Sequence, residues 1–147
     1  MKKFELTSET KINIFGKKLF RIKALVSFGV VKTGETGGWV EKEENVNQSG
    51  DAWVFGNAEV FGNARVSGNA RVSGNADYTT IHGFGTQFRT TTFFRCKDKQ
   101  VKVSCGCFYG TIPEFREQVK NTRDGKIAEE YLMIADLMEK HFAEEAK

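Results

Sequence analysis

Proline is almost missing: Pro113 is the only one in 147 residues. Histidine occurs twice, at His82 and His141, so proton transfer through a neutral imidazole has two possible seats. Cysteine occurs at Cys96, Cys105 and Cys107, an odd and clustered set that suits reduced thiols better than a disulfide framework. No apolar run approaches the roughly 20 residues needed to span a bilayer. Met1–Lys11 (MKKFELTSETK) also lacks the apolar stretch of a signal peptide. The expected location is therefore cytoplasmic. There is no nucleophile elbow, no Walker loop and no pair of carboxylates that can be placed together. GETGG at Gly34–Gly38 is glycine-rich, but it lacks the Lys-Thr/Ser that would hold a triphosphate, and it reads as a turn.

Apolar residues make up 39% and charged residues 28%, the balance of a soluble globular chain of one domain. The net charge of +3 does not imply nucleic acid. The charge is unevenly spread. Residues 81–110 carry five basic side chains (Arg89, Arg95, Lys97, Lys99, Lys102) against Asp98, whereas residues 111–147 carry six basic and nine acidic ones. A basic centre beside an acidic tail allows either an anionic partner or internal pairing.

The segment Gly50–Thr79 (GDAWVFGNAEVFGNARVSGNARVSGNADYT) states one phrase five times, Gly-Asx-Ala-x-β-x. Ala recurs at 52, 58, 64, 70 and 76, and Val or finally Tyr at 54, 60, 66, 72 and 78. These positions are two apart and share one side of an extended strand. The Gly-Asx pairs between them suit turns. Three such units predict one coil of a parallel β-helix, with Val54 beneath Val72 and Trp53 directed outward beside Arg71. Phe55 and Phe61 also face outward and need a cover, from the N-terminal segment or a second subunit.

The phrase resembles the left-handed β-helix of the hexapeptide-repeat family, in which an aliphatic residue precedes a small one by four positions. Val54/Ala58, Val60/Ala64, Val66/Ala70 and Val72/Ala76 match. The glycine falls one place later than is commonest in that family. The resemblance implies the handedness and a homotrimer of prisms.

Either side of the repeat the pattern changes. Lys11–Phe15 (KINIF), Gly16-Lys17-Lys18 and Leu19–Val26 predict a hairpin that caps the first coil. Phe88–Cys96 and Gln100–Phe108 predict a second hairpin. Thr111-Ile112-Pro113-Glu114 is a capping box, with proline tolerated in the first turn, and predicts a helix over Pro113–Asn121. Lys126–Ala143 predicts an amphipathic helix with Ile127, Tyr131, Ile134, Leu137, Met138 and Phe142 on one face. The expected fold is mainly β with C-terminal helices. Its parts are an N-terminal β arm (1–38), a short left-handed parallel β-helix (39–80) and a ββαα cap (81–147). This whole order, from GGWVE through the GNARV repeats to NADYTTI, TTTFFR and VSCGCF, resembles a family of small proteins frequent in bacteriophages and prophages, some labelled polymer-forming.

Four functions fit these residues. Acyl transfer, which the hexapeptide resemblance suggests, would use His82 as base and hold a CoA-like donor between subunits. A zinc site could draw on Cys96, Cys105, Cys107 and His82, although one residue between two cysteines is unusual spacing. Contact with a host protein could use the Phe55/Phe61 surface or the helix pair. The reading carried forward is non-catalytic, with no cofactor and no metal. In it a phage accessory protein in the host bacterial cytoplasm sequesters an anionic ligand, a nucleotide immune signal, near subunit boundaries. Its candidate residues are Trp53, Arg71, His82, Arg89 and Arg95. Arginine would supply charge-assisted hydrogen bonds, and Trp or His would stack on a base.

Overall fold

The computed structural model describes residues 2–86, 89–105 and 108–143, without the side chains of Asn75 and Arg89. Among the described residues ten strands precede two helices. The first strands, β1 (Phe4–Ile12) and β2 (Lys18–Ala24), form the expected antiparallel hairpin. β3 (Thr36–Val40) pairs antiparallel with β2 and parallel with β5 (Glu59–Val60). β4 (Trp53–Val54) pairs parallel with β6 (Arg71–Val72). A second four-stranded sheet is wholly antiparallel, in the order β10-β9-β8-β7, from β7 (Tyr78–Phe84), β8 (Arg89–Arg95), β9 (Val101–Cys105) and β10 (Phe108–Thr111). The helices α1 (Ile112–Thr122) and α2 (Gly125–Phe142) follow.

This arrangement corrects the expectation of a left-handed parallel β-helix. The chain is mainly β with C-terminal helices, and most of its pairing is antiparallel. Among the described residues parallel pairing is confined to two-residue ladders and the single bridge Val46–Val66. The 18-residue interval does occur, in Trp53–Arg71 and Val54–Val72. The other parallel pairs, Trp39–Glu59, Val40–Val60 and Val46–Val66, are separated by 20 residues. Five short phrases cannot enclose a core of their own. They are completed instead by an antiparallel arm on one side and by β8 on the other. The expected ββαα cap is likewise larger, with four strands ahead of the two helices.

Four of the five phrases behave alike. Ala52, Ala58, Ala64 and Ala70 are buried, Val54, Val60, Val66 and Val72 are fully buried, and Gly50, Gly56, Gly62 and Gly68 all turn the chain at positive φ. Those glycines lie in the left-handed region that a side chain resists. The fifth phrase departs from this. Gly74 is extended, Ala76 is exposed, and Asn75–Asp77 is a short 3₁₀ turn. Asp77 stands where the earlier phrases have Trp, Glu or Arg. Its Oδ2 accepts from the Ser73 and Gly74 amides at 2.8 and 3.1 Å, which bends the chain away from another repeat.

Two hydrophobic cores result. The first joins Phe4, Ile22 and Val31 of the arm to the repeat's alanines and valines and to Phe94 and Cys96. The second joins Phe93 and Val103 to Phe115, Val119, Tyr131, Ile134, Met138 and Phe142. β8 serves both, because neighbouring residues of a strand face opposite ways. Phe93 faces the helices and Phe94 the repeat, and Thr91 and Thr92 are buried as well. Thr92 Oγ1 accepts from the Arg65 amide at 3.0 Å, while Thr91 Oγ1 donates to Cys105 Sγ at 3.1 Å. The capping box at Thr111/Glu114 is formed as expected. On α2, however, Leu137 is 57% exposed rather than on the buried face.

The arm closes over the repeat by aromatic contact. Trp53 is 1% exposed and meets Phe4 and Phe28 edge-on at 5.8 and 5.3 Å. Lys3, 4% exposed, donates from Nζ to the Gly50 and Ala52 carbonyls at 3.2 and 2.8 Å and sits over the Phe28 ring. Burial pushes its pKa down to about 8, against a weaker upward pull from Asp51. Gly37 lets β3 come this close, because a Cβ there would stand 2.6 Å from the Val54 carbonyl and 2.7 Å from the Trp53 ring. GETGG is therefore a turn at its first glycine and a close crossing at its last two.

Trp53→Ala removes the ring that the arm closes upon and is expected to cost about 3–5 kcal/mol in urea unfolding. Cys96, 3% exposed, has its thiol pKa pushed up by burial to about 11 from an ordinary value of about 9. The folded state therefore holds this proton more tightly than the unfolded chain. The corresponding stability is complete below about pH 9 and is lost as pH rises through about 11. Lys3 and Tyr78 titrate in overlapping ranges, so the measurement is the difference between wild type and Cys96→Ala. Wild type should lose stability relative to the variant across that window.

Candidate binding groove

The β1–β2 hairpin leans over the repeat and roofs a groove of about 750 Å³. Asn13 makes the turn, its Oδ1 accepting from the Phe15 and Lys17 amides at 3.0 and 2.9 Å. Lys11 ties the hairpin down with an ion pair to Glu59 at 2.8 Å, and Phe15 meets Phe61 at 5.8 Å between ring centroids. The N-terminal segment thus supplies a ring for Phe61 to pack against. Phe15, Phe61 and Tyr78 give the groove its aromatic lining, and Glu59, Asn63, Thr79, Thr80, His82 and Thr90 give it its polar lining. Antiparallel pairing of β7 with β8 sets His82 opposite Thr90, and His82 Nδ1 and Thr90 Oγ1 share a hydrogen bond of 3.1 Å. Burial pushes the Tyr78 phenol up to about 12, opposed by a main-chain hydrogen bond from Phe61, so Tyr78 is a neutral phenol at physiological pH.

The residues singled out from the sequence do not converge. His82 lines the groove and is exposed. Trp53 belongs to the first core and is turned inward by the arm, so it offers no face for stacking. Arg71 is its parallel partner and is half-buried. The tryptophan that does carry cations is Trp39, with Lys11 Nζ 4.7 Å and the Arg21 guanidinium 4.4 Å from its centroid. Arg89 opens β8 opposite Phe84, and its side chain lies outside the described residues.

Arg95 is committed inside the fold. It pairs with Asp77 at 3.4 Å, donates to the Phe142 carbonyl at 3.0 Å and lies over the Phe142 ring at 5.2 Å. A basic side chain at a helix C-terminus also complements its dipole. Arg95 therefore fastens the end of α2 to the turn that stops the repeat. Apart from His82 and Phe61, the groove residues escape sequence reasoning because they come from three distant segments. The KINIF alternation was the available signal, since its apolar residues continue past the end of the strand.

Cys105 is half-buried against Thr91, and Cys107 lies outside the described residues. Among the described residues no three His, Cys, Asp or Glu side chains are placed to hold a metal ion. No described helix is long and apolar enough to cross a membrane. Compared with known proteins, the chain matches no family model and no curated sequence.

Arg95→Gln should loosen the end of α2 and lower stability by about 1–2 kcal/mol, as loss of hydrogen bonds from a charged group does. The same variant should increase hydrogen exchange in the last turn of α2. Unchanged exchange there would mean that Arg95 does not hold the helix.

Proposed function

We propose that this protein is a non-catalytic binder that holds a nucleotide-sized anionic ligand in the groove under the hairpin tip. The observation that carries the reading is the combination of three aromatic rings with three threonines and an imidazole in the lining of one groove of about 750 Å³. That volume is in the range of small-molecule sites, roughly 300–1,000 Å³. A planar base suits Phe15 and Phe61, and ester or phosphate oxygens suit Thr80, Thr90 and His82. Glu59 does not oppose an anion there, because Lys11 neutralises it. The resemblance to phage and prophage proteins supplies a setting in the host bacterial cytoplasm, where removing a nucleotide immune signal needs a site but no chemistry.

Calorimetric titration with cyclic dinucleotides, an ADP-ribose derivative and CoA tests the reading. One nucleotide should bind, and His82→Ala and Phe61→Leu should each weaken it about tenfold, or about 1.4 kcal/mol. The ligand should be recovered intact after heat denaturation. Turnover of acetyl-CoA abolished by His82→Ala would instead assign acyl transfer. Unchanged affinity in both variants would remove the groove as the site.

A further inference from the structure

An anion held under the hairpin tip needs a counter-charge. Among the described residues the groove lining holds no Lys or Arg, and its one carboxylate, Glu59, is paired with Lys11 at 2.8 Å. Lys42 reaches the lining only through Asn63, to whose Oδ1 it donates at 2.9 Å. Tyr78 stays a neutral phenol until about pH 12. His82 is left as the one described lining group that can become cationic near neutrality, because imidazole is the side chain that ordinarily changes charge between about pH 5 and 8.

The fold places His82 for that task. Ile81 packs with the helical core, so its neighbour His82 faces the other way, on the side of β7 that carries Tyr78 and Thr80. The helices therefore bring no charge to the ring. From the hairpin tip come Ile14 and Phe15, both apolar. From β8 comes Thr90, whose Oγ1 shares the 3.1 Å hydrogen bond with Nδ1, while the side chain of Arg89 lies outside the described residues. A hydroxyl can accept from Nδ1–H as well as donate to a bare Nδ1, so Thr90 permits an extra proton on the ring. Nε2 has no partner among the described residues and is free to donate to a ligand.

We propose that the groove takes a nucleotide phosphodiester and that His82 gains a proton as it binds. This rests on the anionic-ligand reading of the groove. One imidazolium balances the single charge of a diester phosphate. It falls short of a pyrophosphate or triphosphate, whose further charges would meet only hydroxyls, amides and rings in the described lining. Binding and protonation are reciprocal: an anion beside the ring favours the imidazolium, and acid favours the anion by the same factor. The ligand is therefore held in mild acid and released as pH rises.

Calorimetric titration at about pH 6 and about pH 8, within and above the ordinary imidazole range, tests it. A cyclic mononucleotide and cyclic di-AMP serve as diesters, and ADP-ribose and ATP carry the pyrophosphate and triphosphate. A diester keeps one charge per phosphate across this range, so its pH dependence belongs to the protein. The better diester should bind about tenfold tighter at the lower pH. It should also draw a proton from the buffer, read as a heat that changes with the buffer's ionisation enthalpy. His82→Gln should show the weaker wild-type affinity at both pH values, and His82→Lys, cationic at both, the tighter one. Diester affinity equal at both pH values, or ADP-ribose or ATP bound more tightly than either diester, overturns the inference and leaves the groove a nucleotide site. A pH dependence that persists in His82→Gln overturns it as well. Binding by none of the four removes the groove reading and this inference together.

Discussion

Everything in this fold leans on one strand with two insides. β8 places Phe93 in the helical core and Phe94 in the repeat core, and Thr91 and Thr92 are buried beside them. Neither side could be sealed alone. The repeat has small inner side chains and too few turns, and the helix pair needs a sheet to cover. Because the strand alternates strictly, a slip of one residue would exchange the contents of the two cores. The threonines resist such a slip through their own hydrogen bonds, Thr92 to the repeat and Thr91 to β9. Arg95 extends the same logic one residue further, tying Asp77 at the repeat's end to Phe142 at the helix's end.

The repeat was legible as a local rhythm but not as a global shape. Its inward alanines and valines, the 18-residue contact of Val54 with Val72 and the turns at glycine all follow from period and residue size. Both helices and the capping box followed from short-range signals as well. The proposed β-helix did not, because closure of a coil depends on what lies beside it. Trp53 shows the difference. Its position in the phrase is an outward one, yet Phe4 and Phe28, from far earlier in the chain, cover it. No local pattern encodes that contact. Leu137 failed in the opposite direction, since apolar periodicity on α2 cannot show how wide a face the sheet will cover.

The groove was only partly legible for the same reason. His82 stood out as one of two histidines, but its neighbours come from the hairpin tip, the repeat and β8. Charge is a poor guide to the lining of the groove, which holds no Lys or Arg among the described residues. Arg95 looked available in the sequence and is bound to an acid and a carbonyl within the fold. Uncharged rings, Phe15 of the tip with Phe61 and Tyr78, line the groove instead.

The order in which the chain is made bears on the first core. Phe4 leaves the ribosome ninety residues ahead of Phe94, and both are needed to line the same interior. During synthesis the arm and the repeat therefore emerge as an unfinished shell, with Trp53 covered on the arm's side and the opposite side open to solvent. Closure waits until translation has passed Cys96. Until then the open side of the shell, with its apolar lining exposed, is an aggregation hazard. The first interior can close once β8 is in place, whereas the second also waits for α2 near the end of translation.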